Sequence, residues 1–370
     1  MESEAIPEKM KAVQVVELYQ FNKPYEIREV TVPKDLSSRD VLVKIAVASN
    51  CHTDSMVQKG VFKPPLPCTA SHEGAGTVVA VGSDVKHLKV GQRIMCGIPY
   101  HPCRVCPDCT GPENQTQYCS SLEKHNGVLG DGFFAEYAAV DAFNATPLPD
   151  KVSFESAAPL ACAGRTIWRA VDTTGLKAGE WIALVGSGGG LGHIGIQFAK
   201  GRGLNVIGVD ARDDGLELSK ILGADVVLDA RQGKRDLVKQ VQAVTGGRGA
   251  DSTVVISDHN DAAAIGCAIT KMHGDVIQIA QPDEVKIPFQ ELIFRDIRIR
   301  SSLLCSEGES RKMLDEIAAN NITVKTNVFH GLDKINDLTE LVHGGKIQGK
   351  AIVIVDEEQI RKEKKLGAAL

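Results

Sequence analysis

The sequence predicts an α/β protein in which a doubly wound parallel sheet is set inside a β-rich domain made from both ends of the chain. Three observations carry this. Short β-branched runs, broken by Gly and Pro, fill the first hundred residues. Beyond about residue 155, apolar runs alternate with helical stretches, and after about 305 the pattern turns mixed again. A length of 370 residues exceeds what one core usually holds, so two domains are expected. Their expected limits are 1–160 with 305–370 for the β-rich part, and 161–304 for the parallel sheet.

KAVQVVEL (11–18) and DVLVKIAVAS (40–49) open the β-rich part, and GAGTVVAVGSDV (74–85) and GQRIMCGI (91–98) continue it. Short β-branched segments between turn residues imply antiparallel, partly barrel-like pairing. WIALVG (181–186) is a continuous apolar run, as a strand buried on both faces requires. A helix at HIGIQFAKGRG (193–203) and a strand at NVIGVD (205–210) follow it. The alternation continues with a helix at LELSKILGA (216–224), a strand at DVVLDA (225–230) and a helix at RDLVKQVQAVTG (235–246). It ends with a strand at ADSTVVIS (250–257), a helix at DAAAIGCAITKM (261–272) and a strand at GDVIQIA (274–280). Strands alternating with helices of this length imply a parallel sheet. RKMLDEIAANN (311–321) reads as a helix, KAIVIVD (350–356) as a strand and RKEKKLGAAL (361–370) as a solvated terminal helix.

Composition excludes several classes. A net charge of −5 gives no basic excess for nucleic acid. No run approaches the roughly 20 apolar residues that span a bilayer, and the polar start MESEAIPEKM is not a secretory signal. A cytoplasmic location is expected.

Gly186, Gly188, Gly189, Gly190, Leu191 and Gly192 form a Gly-rich turn between an expected strand and an expected helix. Glycine lets the backbone approach a pyrophosphate, and the helix start offers N–H groups to it. Asp210, 18 residues beyond Gly192, ends the next strand. A carboxylate there accepts from the ribose hydroxyls of NAD and repels the 2′-phosphate of NADP, a preference that Arg212 could soften.

Cys103, Cys106, Cys109 and Cys119 are spaced C-x2-C-x2-C-x9-C in a Pro- and Gly-rich stretch. Such a loop buries little apolar surface, and four thiolates around one Zn²⁺ would hold it as a closed, structural site. A nucleic-acid zinc ribbon would need two separated CxxC pairs in basic surroundings. Cys51, His72 and Cys162 lie too far apart for spacing to unite them, but two thiolates and an imidazole would leave a fourth zinc position open.

CHTD (51–54), SHEGAG (71–76), the four-cysteine loop, LACAG (160–164), the Gly-rich turn with Asp210 and GKIQGKAIVIVD (345–356) occur in this order. By these motifs the chain resembles the zinc-dependent medium-chain alcohol dehydrogenases, and among them the fungal tetrameric enzymes, over about residues 11–357. The resemblance implies a GroES-like catalytic domain, a Rossmann cofactor domain, NAD, two zinc ions per subunit and a homotetramer or homodimer. It makes Cys51, His72 and Cys162 the catalytic zinc ligands and Glu73 their acidic neighbour. Asp54 orients the histidine, and Thr53 takes the substrate proton. His52 and Lys350 lie near the cofactor phosphates. The implied reaction is hydride transfer between a nicotinamide and a small alcohol or its aldehyde or ketone.

The chain departs from the fungal pattern in four places. Met56 stands where a relay histidine is expected, so a weaker dependence on an ionisation of about pH 7 follows, because a thioether is no general base. Phe62 and Tyr100 are the nearest aromatic candidates for the substrate pocket. The four-cysteine loop is longer before its last cysteine. IAQP (279–282) replaces a glycine-containing turn. Two rivals follow: a reductase for a bulkier aromatic or secondary-metabolite aldehyde, and a catalytically inactive zinc- and nucleotide-binding structural subunit.

Overall fold

A computed structural model describes residues 5–16, 24–345 and 347–370. Residues 1–4 of the polar start, and residues 17 and 18 of the first expected strand, lie outside them. The chain divides into two compact units, Met1–Cys162 with Cys305–Leu370, and Ala163–Leu304.

The first unit runs β1 Lys9–Val15, β2 Glu26–Thr31, β3 Asp40–Asn50, α1 His52–Gln58, β4 Cys68–Thr69, β5 Glu73–Val81, β6 Arg93–Met95 and β7 Pro99–Tyr100. It continues with α2 Pro107–Thr110, β8 Lys124–His125, β9 Tyr137–Asp141, β10 Thr146–Pro147 and α3 Phe154–Pro159. The second unit holds α4 Arg165–Thr173, β11 Trp181–Val185, α5 Gly192–Gly201, β12 Asn205–Asp210, α6 Asp213–Ile221, β13 Val226–Asp229 and α7 Lys234–Val244. It closes with β14 Ala250–Val255, α8 Ala262–Ile269, β15 Thr270–Gln278, α9 Phe289–Ile293 and β16 Arg298–Ser301. The chain then returns to the first unit as α10 Glu307–Asn320, β17 Thr326–His330, α11 Ile335–His343, β18 Lys350–Ile354 and α12 Glu357–Lys365.

In the first unit the largest sheet is ordered β10-β6-β5-β3-β18-β17, with β9 also on β3. Its strands pair antiparallel except for β17 and β18, which are parallel. Side chains alternate between the faces of a strand. Val41, Val43 and Ile45 of β3 therefore join Val78, Ile94, Phe133 and Phe134 in one core, while Leu42 joins Met10, Ala12 and Tyr137 in another. Burial on both faces explains why β3 reads as an unbroken apolar run.

The second unit is the expected doubly wound sheet, six parallel strands ordered β13-β12-β11-β14-β15-β16. The strand order reverses between β11 and β14, and the turn that leaves β11 is the Gly-rich one. A ligand crevice belongs at the carboxyl ends of strands at such a reversal. The stretch expected as one helix over 261–272 ends at Ile269, and Thr270 begins β15. Thr270 is β-branched and pairs with Ala250, so the sheet claims it.

The expected solvated tail is instead docked. Gln359, Ile360 and Glu363 of α12 are buried, and Leu370 O accepts the Ser153 N–H at 2.7 Å. A helix with so short an apolar stripe reads as polar all round, although its buried face is fixed by hydrogen bonds. No helix among the described residues is long and apolar enough to cross a membrane.

Candidate active site

β3 delivers Cys51, since the strand ends at Asn50 and Cys51 caps α1. The neighbouring β5 delivers His72 and Glu73, and the register that pairs Ser49 with Glu73 brings the two deliveries side by side. Cys162 comes from elsewhere. Pro159 ends α3, because proline has no N–H to extend a helix, and Leu160–Gly164 continue as a π-helical turn with Cys162 at its middle. One ligand atom from each of Cys51, His72, Glu73 and Cys162 lies within 4.8 Å of the others. The group that spacing could not unite is thus assembled by strand register and one irregular helical turn.

Asp54, inside the first turn of α1, touches two members. Its Oδ2 accepts the Cys51 N–H at 2.8 Å, and its Oδ1 lies 3.1 Å from His72 Nδ1. His72 Nε2 is buried without a hydrogen-bond partner. An orphaned, fully buried ring nitrogen beside two thiols is what a Zn²⁺ ligand looks like before the ion is counted, so the residues fit the metal. Hydrogen bonding from Cys162 and the nearby Lys350 charge hold the Cys51 thiol well below its ordinary value, whereas the partner Cys162 is raised. Burial works against the His72 cation, but the charges of Asp54 and Cys51 outweigh it and raise the imidazole.

Glu73 and Lys350 form a buried ion pair, Nζ to Oε2, at 2.7 Å. Burial lifts Glu73 to about 7 although Lys350 pulls it down. Burial opposes the Lys350 charge, and Glu73 and Cys51 restore it above the usual range. Lys350, expected beside a cofactor phosphate, therefore has an acidic partner next to the zinc ligands, a contact that sequence alone did not suggest. Its signal was the GKA start of β18, the strand beside β3.

His52 and Thr53 occupy the first turn of α1, His52 exposed and Thr53 half-buried, with Met56 half-buried one turn on. Phe62 packs half-buried against the core of this unit. Tyr100 is committed elsewhere. Its hydroxyl donates to Asp40 Oδ2 at 2.6 Å, its ring stacks on His101 at 3.9 Å, and Lys124 Nζ lies 4.4 Å from the ring centre. Asp40 begins β3, at the opposite end from Cys51, so the expected pocket position is corrected: the hydrogen bond to Asp40 holds the Tyr100 side chain at that far end.

The second cluster is Cys103, Cys106, Cys109 and Cys119, whose sulfurs lie within 4.8 Å of one another. Cys103 Sγ accepts the Val105 and Cys106 N–H groups at 3.5 and 3.3 Å, and Cys119 Sγ accepts the Cys103 N–H at 3.3 Å. Those two backbone donors pull the Cys103 thiol down to about 6, while burial pushes Cys109 up to about 12. Backbone donors aimed at sulfur suit a thiolate cage, and among the described residues no His, Asp or Glu joins the four cysteines.

In the second unit Gly186 has φ +98°, a conformation that other residues rarely adopt. A Cβ on Gly188 would lie 2.2 Å from Gly215. Asp210 Oδ2 accepts the Gly188 N–H at 2.9 Å, and Oδ1 accepts the Ala211 and Arg212 N–H groups at 2.9 and 3.0 Å. Arg212 Nε lies 3.5 Å from the same carboxylate. The acidic end of β12 is tied directly to the turn that leaves β11, and Gly189, Gly190, Leu191 and Gly192 lead from that turn into α5. A strand, a tight Gly-rich turn, a helix start and an acidic strand end fit a dinucleotide.

A β-rich unit with one open and one closed cysteine-based metal cluster, joined to a dinucleotide-type unit, defines a zinc- and nucleotide-dependent dehydrogenase. The comparisons agree. Residues 37–150 match the alcohol dehydrogenase GroES-like domain, and residues 190–319 match the zinc-binding dehydrogenase domain. An alcohol dehydrogenase of Geobacillus stearothermophilus is 36% identical over 352 residues, covering 94% of this chain and all of the relative. The crystal structure of the alcohol dehydrogenase of Aeropyrum pernix superposes with a TM-score of 0.83 at 32% identity, covering 93% of this chain and 99% of that one. An NADP-bound zinc-binding dehydrogenase of Sinorhizobium meliloti 1021 reaches 0.80 at 27% identity, covering 94% and 100%. The chain belongs to the zinc-binding medium-chain alcohol dehydrogenase family, and it is a zinc-dependent alcohol dehydrogenase.

Proposed function

We propose that the chain is NAD-linked, binds two zinc ions, and interconverts a small alcohol with its aldehyde or ketone. The observation that carries the reading is the partnerless Nε2 of His72 between the Cys51 and Cys162 thiols. Cys51, His72 and Cys162 hold the catalytic ion, with Glu73 drawn aside by Lys350. Cys103, Cys106, Cys109 and Cys119 hold the structural one. When bound, zinc at the open site would supply Lewis acidity to the substrate oxygen, and the nicotinamide would carry the hydride.

This chain's own residues orient and move the proton. Thr53 accepts it from the substrate hydroxyl, and the exposed His52 or water carries it away, since Met56 cannot. Asp210 favours NAD, and the NADP-bound relative makes Arg212 the residue to watch. Lys350 and His52 serve the cofactor phosphates. The order of the sequence motifs alone supports a homotetramer or homodimer, since the Geobacillus and Aeropyrum relatives are bacterial and archaeal. Two clusters of thiolate ligands, which must stay reduced to hold metal, support a reducing, cytoplasmic location.

The test is NADH absorbance with zinc-loaded protein, NAD and a panel of primary, secondary, allylic and benzylic alcohols. Turnover strongest with short alcohols supports the reading. Turnover with bulky aromatic members alone moves the substrate to the rival class that Met56 and the altered pocket favour. No turnover in either direction, with zinc and NADH both bound, supports the inactive structural subunit.

A further inference from the structure

Three of the four residues at the open metal cluster are set by neighbouring strands of one sheet. Cys162 is not. It hangs from α3 and the π-helical turn, so its position depends on what holds α3. α3 lies over β3, β5 and β18 and is buried along nearly its whole length.

The start of α3 is gripped by α12. Both carboxylate oxygens of Glu363 accept the Phe154 N–H, at 3.0 and 2.9 Å. The same carboxylate pairs with Arg93 of β6 at 2.7 Å, and both side chains are nearly buried. Arg93 also donates to Val152 O and lies 4.9 Å from the centre of the Phe154 ring. Leu370 O takes the Ser153 N–H, and the Ala369 and Leu370 N–H groups go to Lys151 O. α12 is itself fastened to the sheet that bears the other ligands. Gln359 accepts from the Thr77 hydroxyl at 2.7 Å and donates to Lys44 O at 3.2 Å, and Lys44 pairs with Asp356 at 3.1 Å.

We infer that Glu363 is a positioning residue for the catalytic metal, fixing through the Phe154 N–H and α3 where Cys162 presents its sulfur. This rests on the assignment of the open cluster as a zinc site. A buried carboxylate is costly to keep unless it is paired, and this one, paired with Arg93, also accepts from the first residue of the segment carrying the ligand that the strands do not place. From Phe154 to Cys162 the chain is a short helix and one turn packed on the sheet, so a loosened start is transmitted to the sulfur.

The test compares wild type with Glu363→Ala, Glu363→Gln and Leu338→Ala, the last a core truncation in α11 as a stability control. Zinc release to a chromogenic chelator is followed under native conditions. The cobalt-reconstituted proteins are compared by absorption spectrum, and the melting temperature of each is measured. We expect Glu363→Ala to release one of its two ions about tenfold faster than wild type, in the range of effects around metal ligands, with a changed cobalt spectrum. Glu363→Gln keeps an acceptor for Phe154 and should fall between. Leu338→Ala should melt lower yet release both ions at the wild-type rate. Equal release from Glu363→Ala and Leu338→Ala at matched melting loss overturns the inference and leaves a plain structural role. If Glu363→Ala does not fold, Glu363→Leu, which fills the space without an acceptor for Phe154, takes its place, and release at the wild-type rate overturns the inference equally. Wild type holding only the four-cysteine ion overturns the open-site assignment, and the inference with it.

Discussion

Asp54 Oδ1 stands 3.1 Å from His72 Nδ1, with both side chains buried. With Nδ1 directed at this carboxylate, Nε2 is the ring nitrogen left for a metal. Asp54→Asn keeps the shape but offers one oxygen where two acceptors are used, toward His72 and toward the Cys51 N–H. We expect zinc at the open site to bind roughly 10–100-fold more weakly, as with other partners of metal ligands. Competition with a chelator of known affinity measures it. Unchanged affinity would mean that the ring orientation is set by packing alone.

Cys106→Ser should cost one zinc per chain without emptying the open site, because the two clusters share no residue. Little apolar packing replaces the ion in this Pro- and Gly-rich stretch, so the melting temperature should fall. Metal content by elemental analysis, together with a thermal scan, checks both. Loss of both ions would mean that the clusters are coupled.

The motifs legible from sequence were the local ones. The four cysteines sit in one loop, and the Gly-rich turn with Asp210 spans one βαβ unit, so spacing carried their chemistry. The open cluster joins residues 51, 72 and 162, and only the β3–β5 register and the π-helical turn bring them together. The pairing of Lys350 with Glu73 was hidden because the place of β18 beside β3, which brings the two together, is a fact of sheet order. The tail looked solvated because Gln359 and Glu363, which fix it, are residue types that usually face water.

In the metal-stripped protein, Glu73 titrates at about 7 rather than at its ordinary value of 4.5, chiefly through burial. A raised folded-state value means that stability is complete below the unfolded value and is lost as pH rises through the folded one. As pH rises from 4.5 through about 7, wild type should therefore lose stability relative to Glu73→Gln, which has no proton to lose. Denaturant melts of both metal-free proteins across that window test it. Parallel pH curves would show that Lys350 already keeps Glu73 ionised.

Asp210→Asn removes the charge that would meet the ribose hydroxyls of NAD under the proposed function, and it releases Arg212, whose Nε now lies 3.5 Å from that carboxylate. NADH should bind about tenfold more weakly, since about 1.4 kcal/mol is lost with a charged acceptor. NADPH should bind no worse or better. Cofactor fluorescence titration separates the two. Equal weakening of both would point to damage at the Gly188 N–H, which Asp210 also holds.

β16 is one of the two edge strands of the parallel sheet, and Ile293 and Phe294, shortly before it in the chain, are each 71% exposed. An open edge flanked by apolar side chains invites a second copy of the chain, because two such edges satisfy each other's backbone groups and cover the rings. Phe294→Asp should therefore lower the oligomeric order without unfolding the monomer, since the side chain gives up little packing within its own chain. Light scattering on the size-exclusion peak reads the mass directly. A mutant with wild-type mass would move the interface to another face. A wild type that is already monomeric would remove the assembly from the proposed function while leaving both metal clusters and the cofactor turn, which are each built within one chain, as they are.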